Sequence, residues 1–156
     1  NQTGFIIATT RNFKTKDVMH EVRTNHSSLR FSTKETFRTI DRVLRAERRR
    51  GMSISVVFTH HRFIRKLNRV FLGHDYSTDV IAFATDADTG IDGELYVNLD
   101  KARSQARQYR VSFWNETKRL LIHGTLHLLC YNDKTMKQRN SMLTRENIYL
   151  SLLEER

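Results

Sequence analysis

The sequence predicts an α+β fold: a small mixed β-sheet with flanking helices, and two C-terminal helices joined by a tight corner. Three observations carry that expectation. Residues 53–59 form a β-branched, apolar run, followed by an amphipathic helical pattern and a second strand-like run at residues 78–85. A polar turn at residues 86–92 leads into a further short run at 94–98, so the last two runs read as a hairpin. A helical segment at residues 113–129, almost wholly apolar from Leu120 onward apart from its two histidines, ends in a corner, after which Thr135 and Gln138 have the spacing of a capping box for a last helix, residues 136–153.

In chain order, residues 4–9 read as a short strand. Residues 10–31 are polar and mixed, with Arg11, Lys14, Lys16, His20 and His26, and show no period that assigns an element. The two histidines have no ligand-like spacing and are expected on the surface. Ser32 and Glu35 form a capping box that opens a helix, with Phe37, Ile40, Val43 and Leu44 on its apolar side. Gly51 suits the position just past its end. Arg45, Arg48, Arg49 and Arg50 crowd its last turn, where cations favour the helix dipole and where a phosphate could equally be met. After the strand at 53–59, residues 60–71 place Phe63, Ile64, Leu67, Val70 and Phe71 on one face, and Gly73 ends the helix. Arg62, Arg65, Lys66 and Arg69 lie on the other side. Strand, helix and strand read as a βαβ unit, whose two strands would run parallel. Asp86, Asp88 and Asp92 lack the full spacing of a calcium loop and read as a solvated turn. Residues 100–110 read as a helix with Ala102, Ala106 and Tyr109 inward and a basic stripe of Arg103, Arg107 and Arg110.

A length of 156 residues fits one domain, expected to span residues 1–156. Hydrophobic residues at 38% and aromatics at 10% can build a globular core. No run approaches the ~20 apolar residues of a membrane span, and the N-terminal stretch lacks the pattern of a secretory signal. The single cysteine excludes an internal disulfide framework and fits a reducing compartment, so a cytoplasmic location is expected. Lys plus Arg number 27 against 17 acids, a net charge of +10. That excess favours a polyanionic partner, nucleic acid ahead of an anionic membrane surface.

The chemistry concentrates at residues 120–133. His123 and His127 stand four apart in an otherwise apolar run, so on a helix they share one face. Buried imidazoles need partners. Backbone carbonyls would serve, and a metal ion would serve both at once. Asp133 lies beyond the expected helix end and can turn back toward them. Three protein ligands would leave a position open, as in a catalytic zinc site. Cys130, three residues past His127, is an alternative third ligand. A zinc protease would need a glutamate after the first histidine as its base, and Gly124 stands there instead. The missing side chain at Gly124 reads as room for a bulky substrate.

Residues 123–133, HGTLHLLCYND, resemble the signature of the YbeY family of single-strand-specific endoribonucleases, H-G-x-L-H-L-x-G-Y-D-H. His123, Gly124, Leu126, His127, Leu128 and Tyr131 match; Cys130 replaces a glycine, Asn132 an aspartate and Asp133 the third histidine. Cysteine adopts a left-handed turn conformation poorly, so the turn is expected to differ or Asn132 to take that role. Leu67, Asn68 and residues 71–83 resemble a second family block, L-N-x-x-Y-R-G-K-D-x-P-T-[ND]-V-L-S-F. Residues 93–98 resemble a third, G-D-[IL]-x-I-[SC]. The three blocks keep their order over about residues 53–150.

The resemblance implies a metal-dependent endoribonuclease of ribosomal RNA maturation, with Zn2+ or another divalent ion held by His123, His127 and Asp133. It gives Asp75, Thr78 and Asp79 a catalytic place on the cleft wall, where turn and strand capping is their plainer reading. Single-stranded RNA, ribosomal RNA or a ribosomal subunit would be the partner, with no membrane involved. Arg62, Arg65, Arg69, Arg103 and Arg107 would hold the RNA backbone. Leu72 stands where the family has an arginine, with Arg69 and His74 close enough in sequence to compensate. The metal would activate a water or polarise the phosphate for attack by a 2′-hydroxyl, and both routes stay open. The competing class is a non-catalytic RNA- or ribosome-binding protein with a structural metal site.

Overall fold

The computed structural model describes residues 4–6, 18–85 and 90–155, the first of these stretches as backbone alone. The expectations for residues 7–9, Arg11, Lys14, Lys16, Asp86 and Asp88 lie outside the described residues. The elements are β1 (Gly4–Ile6), β2 (Glu21–Thr24), α1 (Thr33–Ala46), β3 (Ile54–Thr59), α2 (His61–Leu72), β4 (Val80–Ala84), β5 (Gly93–Asn98), α3 (Leu99–Tyr109), α4 (Phe113–Leu128) and α5 (Met136–Glu154). Among the described residues no helix is long and apolar enough to cross a membrane.

The strands form one mixed sheet in the order β1-β4-β5-β3-β2. The β4–β5 hairpin is antiparallel, as expected, while β5 runs parallel to β3. The parallel relation expected between β3 and β4 is therefore wrong. β5 lies between them, and β4 points against β3. The short connection after β4 folds it straight back on β5, which occupies the place beside β3 that a βαβ unit would have given to β4. β2 falls within the stretch that showed no sequence period, and it pairs parallel with β3 at the sheet edge. Three of its four residues are exposed, so edge position erased the apolar alternation that would have revealed it.

Helix boundaries follow their caps. Ser32 accepts the Glu35 amide at 3.2 Å, His60 caps α2, and Gly73 closes α2 in a left-handed conformation with φ 70°. α1 stops at Ala46, well before Gly51, because Arg48 itself turns left-handed at φ 57°. The two histidines expected on the surface are buried. His20 pairs with Asp41 at 2.9 Å and His26 with Asp100 at 2.8 Å, their side chains 5% and 6% exposed. A carboxylate partner makes burial of an imidazole tolerable, and here both partners come from distant helices.

α4 is the central pillar. Leu120, Leu121 and Leu128 pack with Val80, Ala82, Leu95 and Val97 of the sheet. Ile122 and Leu126 pack with Val43 of α1 and with Met142, Tyr149, Leu150 and Leu153 of α5. This explains the all-round apolar sequence of the helix. Gly124 serves that packing rather than a substrate. A Cβ there would lie 3.0 Å from both Leu95 and Val80, so the residue lets helix and sheet approach closely.

Candidate metal centre

The corner between α4 and α5 is built by local hydrogen bonding. Cys130 adopts the left-handed conformation itself, φ 71°, and is exposed. Its amide donates to the carbonyl of His127 at 2.9 Å, and the Tyr131 amide donates to that of Leu126 at 3.1 Å. These two bonds are the Schellman pattern that ends many helices, with Tyr131 and Leu126 supplying its hydrophobic contact. The turn thus keeps its form with cysteine at the glycine position, and Asn132 is not needed for it. Three residues later the expected capping box is present. Thr135 accepts the Gln138 amide at 3.1 Å, and the Gln138 side chain accepts the Lys134 and Thr135 amides at 3.1 and 3.0 Å.

Glu47, just past the end of α1, ties this corner to the body of the fold. Its carboxylate accepts from Tyr131 at 2.7 Å, from Arg145 at 3.0 Å and from the Tyr149 hydroxyl. The Arg145 guanidinium also sits 4.7 Å from the Tyr131 ring centre, a cation–π distance. Burial pushes the Tyr149 hydroxyl up to about 12, and the Glu47 charge adds to it.

Asp133 is thereby turned back on His123 and His127. The two Nε2 atoms are 3.1 Å apart, and each lies 3.4 Å from Asp133 Oδ2. One ligand atom from each of the three residues fits within a 4.8 Å span. His127 is 2% exposed, whereas His123 and Asp133 are each 15% exposed, so the group is walled on one side and open on the other. Cys130 is not in the group.

Two carboxylates absent from the sequence reading complete the surroundings. Glu146 of α5 lies 3.5 Å from His123 Nδ1, the place a carboxylate takes behind a ligating imidazole. Glu116, two turns before His123 on α4, is 2% exposed. Arg119 stands between them, 4.0 Å from each carboxylate. The signal was available in spacing: Glu116, Arg119 and His123 fall three and four residues apart on one helix. Burial would lower His123, but Asp133 and Glu146 outweigh it and raise its pKa to about 10. Burial would raise Asp133, yet hydrogen bonds from His123 and His127 hold it far below the usual carboxylate range. Glu116 is pushed up to about 7, chiefly by burial, against the pull of Arg119.

The other predicted residues separate into two groups. Asp79 is buried and accepts from the Val80 amide at 2.8 Å and from Gln105 at 3.4 Å. The Thr78 hydroxyl donates to Asp79 at 3.5 Å. The charge of Asp79 reaches both His123 and Glu116, which links this strand start to the metal corner. Asp75 goes elsewhere. It is exposed and forms a two-pronged pair with Arg65, at 2.9 and 3.0 Å, which holds its carboxyl below the usual range. Arg62, Arg65 and Arg69 line an open hollow of about 520 Å3 with His60, Phe63 and Lys66. Arg103 and Arg107 are exposed on α3, and Arg103 lies 3.7 Å from Asp100. Leu72 is the last residue of α2.

Comparison with known proteins identifies the family of the chain. The family model described as endoribonuclease YbeY matches residues 19–154. The endoribonuclease YbeY of Chlorobaculum tepidum is 43% identical over 124 residues, covering 74% of this chain and 90% of that protein. That of Chloroherpeton thalassium is 40% identical over 116 residues, covering 74% and 82%. A solution structure of a Thermotoga maritima protein shares the fold, with a TM-score of 0.55 at 22% identity over 86% of this chain and 89% of that one. With the family model running from before β2 to the end of α5, and with the histidine pair and its corner inside the match, this chain belongs to the endoribonuclease YbeY family.

Proposed function

We propose that this chain is a metal-dependent endoribonuclease that cuts single-stranded RNA during ribosomal RNA maturation. The observation that carries the reading is the convergence of His123, His127 and Asp133 on one point at the open side of a corner, in a chain of this family. The donor set fits a divalent ion. Two imidazole nitrogens and one carboxylate oxygen suit zinc and also accept harder ions such as manganese. Glu146 behind His123 fixes the ring and raises its basicity. A divalent ion bound there would supply Lewis acidity to the phosphodiester.

The chain's own groups set the rest. Asp133 and Glu146 beside His123 would hold its ring in place for a divalent ion, and ligation would require the neutral imidazole. Asp79 and Thr78 wall the strand side of the cleft, while Asp75 acts by orienting Arg65. Arg62, Arg65, Arg69, Arg103 and Arg107 hold the RNA backbone, on ribosomal RNA free or in a ribosomal subunit. Zinc is the ion we assign, residues 1–156 the single domain, and the cytoplasm the place of action.

The test combines metal analysis of protein purified without chelator or histidine tag with cleavage of an unstructured labelled RNA. One equivalent of zinc and cleavage in the wild type are expected. His127→Ala should lower cleavage more than about a hundredfold and leave RNA affinity nearly unchanged. RNA binding without cleavage under any divalent ion would replace the reading with a binding module. Fragments ending in a 2′,3′-cyclic phosphate would assign the attack to the 2′-hydroxyl, and 3′-hydroxyl with 5′-phosphate ends would assign it to water.

A further inference from the structure

The segment between α2 and β4 carries an exposed aromatic pair that the metal corner does not use. The rings of His74 and Tyr76 lie 5.4 Å apart, tilted by 34°, and both residues are exposed, Tyr76 at 38%. The pair is held in place through its backbone. Asn68 of α2 donates to the Tyr76 carbonyl at 2.9 Å, and the His74 amide donates to the Asn68 carbonyl at 3.2 Å. Between these two residues in the chain, Asp75 is clamped by Arg65. The segment is therefore fixed at its backbone, and both ring-bearing residues stay exposed. One side of it continues into the cationic face of α2, with Arg62, Arg65, Lys66 and Arg69 around the open hollow. Its other side runs directly into Thr78 and the buried Asp79, just before β4.

We propose that His74 and Tyr76 form a stacking platform for an unpaired base of the RNA, and that this platform makes the site select single strands. The inference rests on the RNA-cleaving function proposed above. Every unpaired base offers a π-face, whereas a base inside a duplex is already stacked on both sides and cannot reach a side chain in this way. The neighbouring cations match the phosphates that flank such a base, which identifies the occupant as a polyanion with aromatic faces. A protein partner would meet the same rings but would have no need of the cationic border.

The experiment measures anisotropy of a short fluorescent 2′-O-methyl RNA, single-stranded or as a duplex, with the full chain over a range of salt. Tyr76→Leu should weaken single-strand binding about tenfold and duplex binding less than about twofold. Tyr76→Phe should restore wild-type affinity, because it keeps the π-face. The slope of log affinity against log salt should be unchanged in Tyr76→Leu and should fall by about 0.7 in Arg69→Gln, which removes one phosphate contact. Equal weakening of single strand and duplex, or a Tyr76→Leu protein that binds as the wild type does, would overturn the platform. A Tyr76→Leu protein that changes from dimer to monomer in sedimentation would assign the rings to a second copy and also overturn it. Wild type that binds no RNA at all would sink the endoribonuclease reading itself, a result distinct from each of these.

Discussion

The metal corner and the outer face of α2 both present charged and imidazole groups, yet they are built on opposite physics. In the corner the groups are withdrawn from water and locked by partners. His127 is 2% exposed, and Asp133, Glu146 and Glu47 each hold a neighbour in place. On α2, Arg62, Arg65, Lys66 and Arg69 stand in solvent around an open hollow. Burial makes a charge interact strongly and over a fixed geometry, which moves pKa values and aligns ligands. Exposure leaves interactions weak and screened, but long-ranged enough to gather a polyanion. On the function proposed above, one chain would divide chemistry and capture between a dry region and a wet one. Substitutions should respond accordingly, with large and local effects in the corner and small, salt-dependent ones on the surface.

The strongest test of the dry side is Glu146→Gln. The amide keeps the size of the side chain and removes the charge behind His123. Loss of such a supporting carboxylate typically lowers metal affinity by about 10- to 100-fold. Competition against a coloured chelator would measure it, with zinc and manganese in parallel. Unchanged affinity would mean that the first three ligands carry the site alone and that the corner is less coupled than its geometry implies.

Glu116 gives a test of intermediate size, read in stability rather than in binding. Its pKa is raised from 4.5 to about 7, first by burial. Between those values the folded protein holds a proton that the unfolded chain has already released. Stability therefore falls as pH rises from 4.5 to about 7 and stays at the lower level above that. The full effect is on the order of 3 kcal/mol. Glu116→Gln keeps the shape without the charge. In chelator-treated protein it should flatten this slope and be the more stable of the two at pH 8, as urea unfolding across the range would show. Parallel curves for the two proteins would mean that water reaches the Glu116 carboxylate after all.

What was legible in the sequence follows the same division. Caps and periods are local, so Ser32, Gly73, Thr135 with Gln138, the hairpin and the buried character of α4 could all be read directly. The convergence of His123, His127 and Asp133 was also legible, because two ligands share one helix and the third follows one turn later. Features decided by distant partners were not. His20 and His26 become buried only because Asp41 and Asp100 come to meet them. The place of β5 beside β3 depends on competition between strands, and the role of Gly124 on how close Leu95 and Val80 approach. Glu146 sits in the middle of a helix with no neighbouring signal, and only the packing of α5 on α4 carries it to His123.

The smallest effect is expected on the wet side, at Arg107. It is exposed on α3, on the same stripe as Arg103, whose guanidinium already lies 3.7 Å from Asp100. A contact from Arg107 to one phosphate of a single strand would appear as a change of about 0.7 in the salt slope on Arg107→Gln. At physiological salt the affinity would change only about two- to threefold, because an exposed cation is well screened there. The variant should leave metal content and unfolding stability where they were, since Arg107 supports neither the corner nor the core. Salt-dependent anisotropy separates the cases. A reduced slope extends the capture surface from α2 across to α3, while an unchanged slope confines the RNA path to α2 and leaves the α3 stripe as solvated charge.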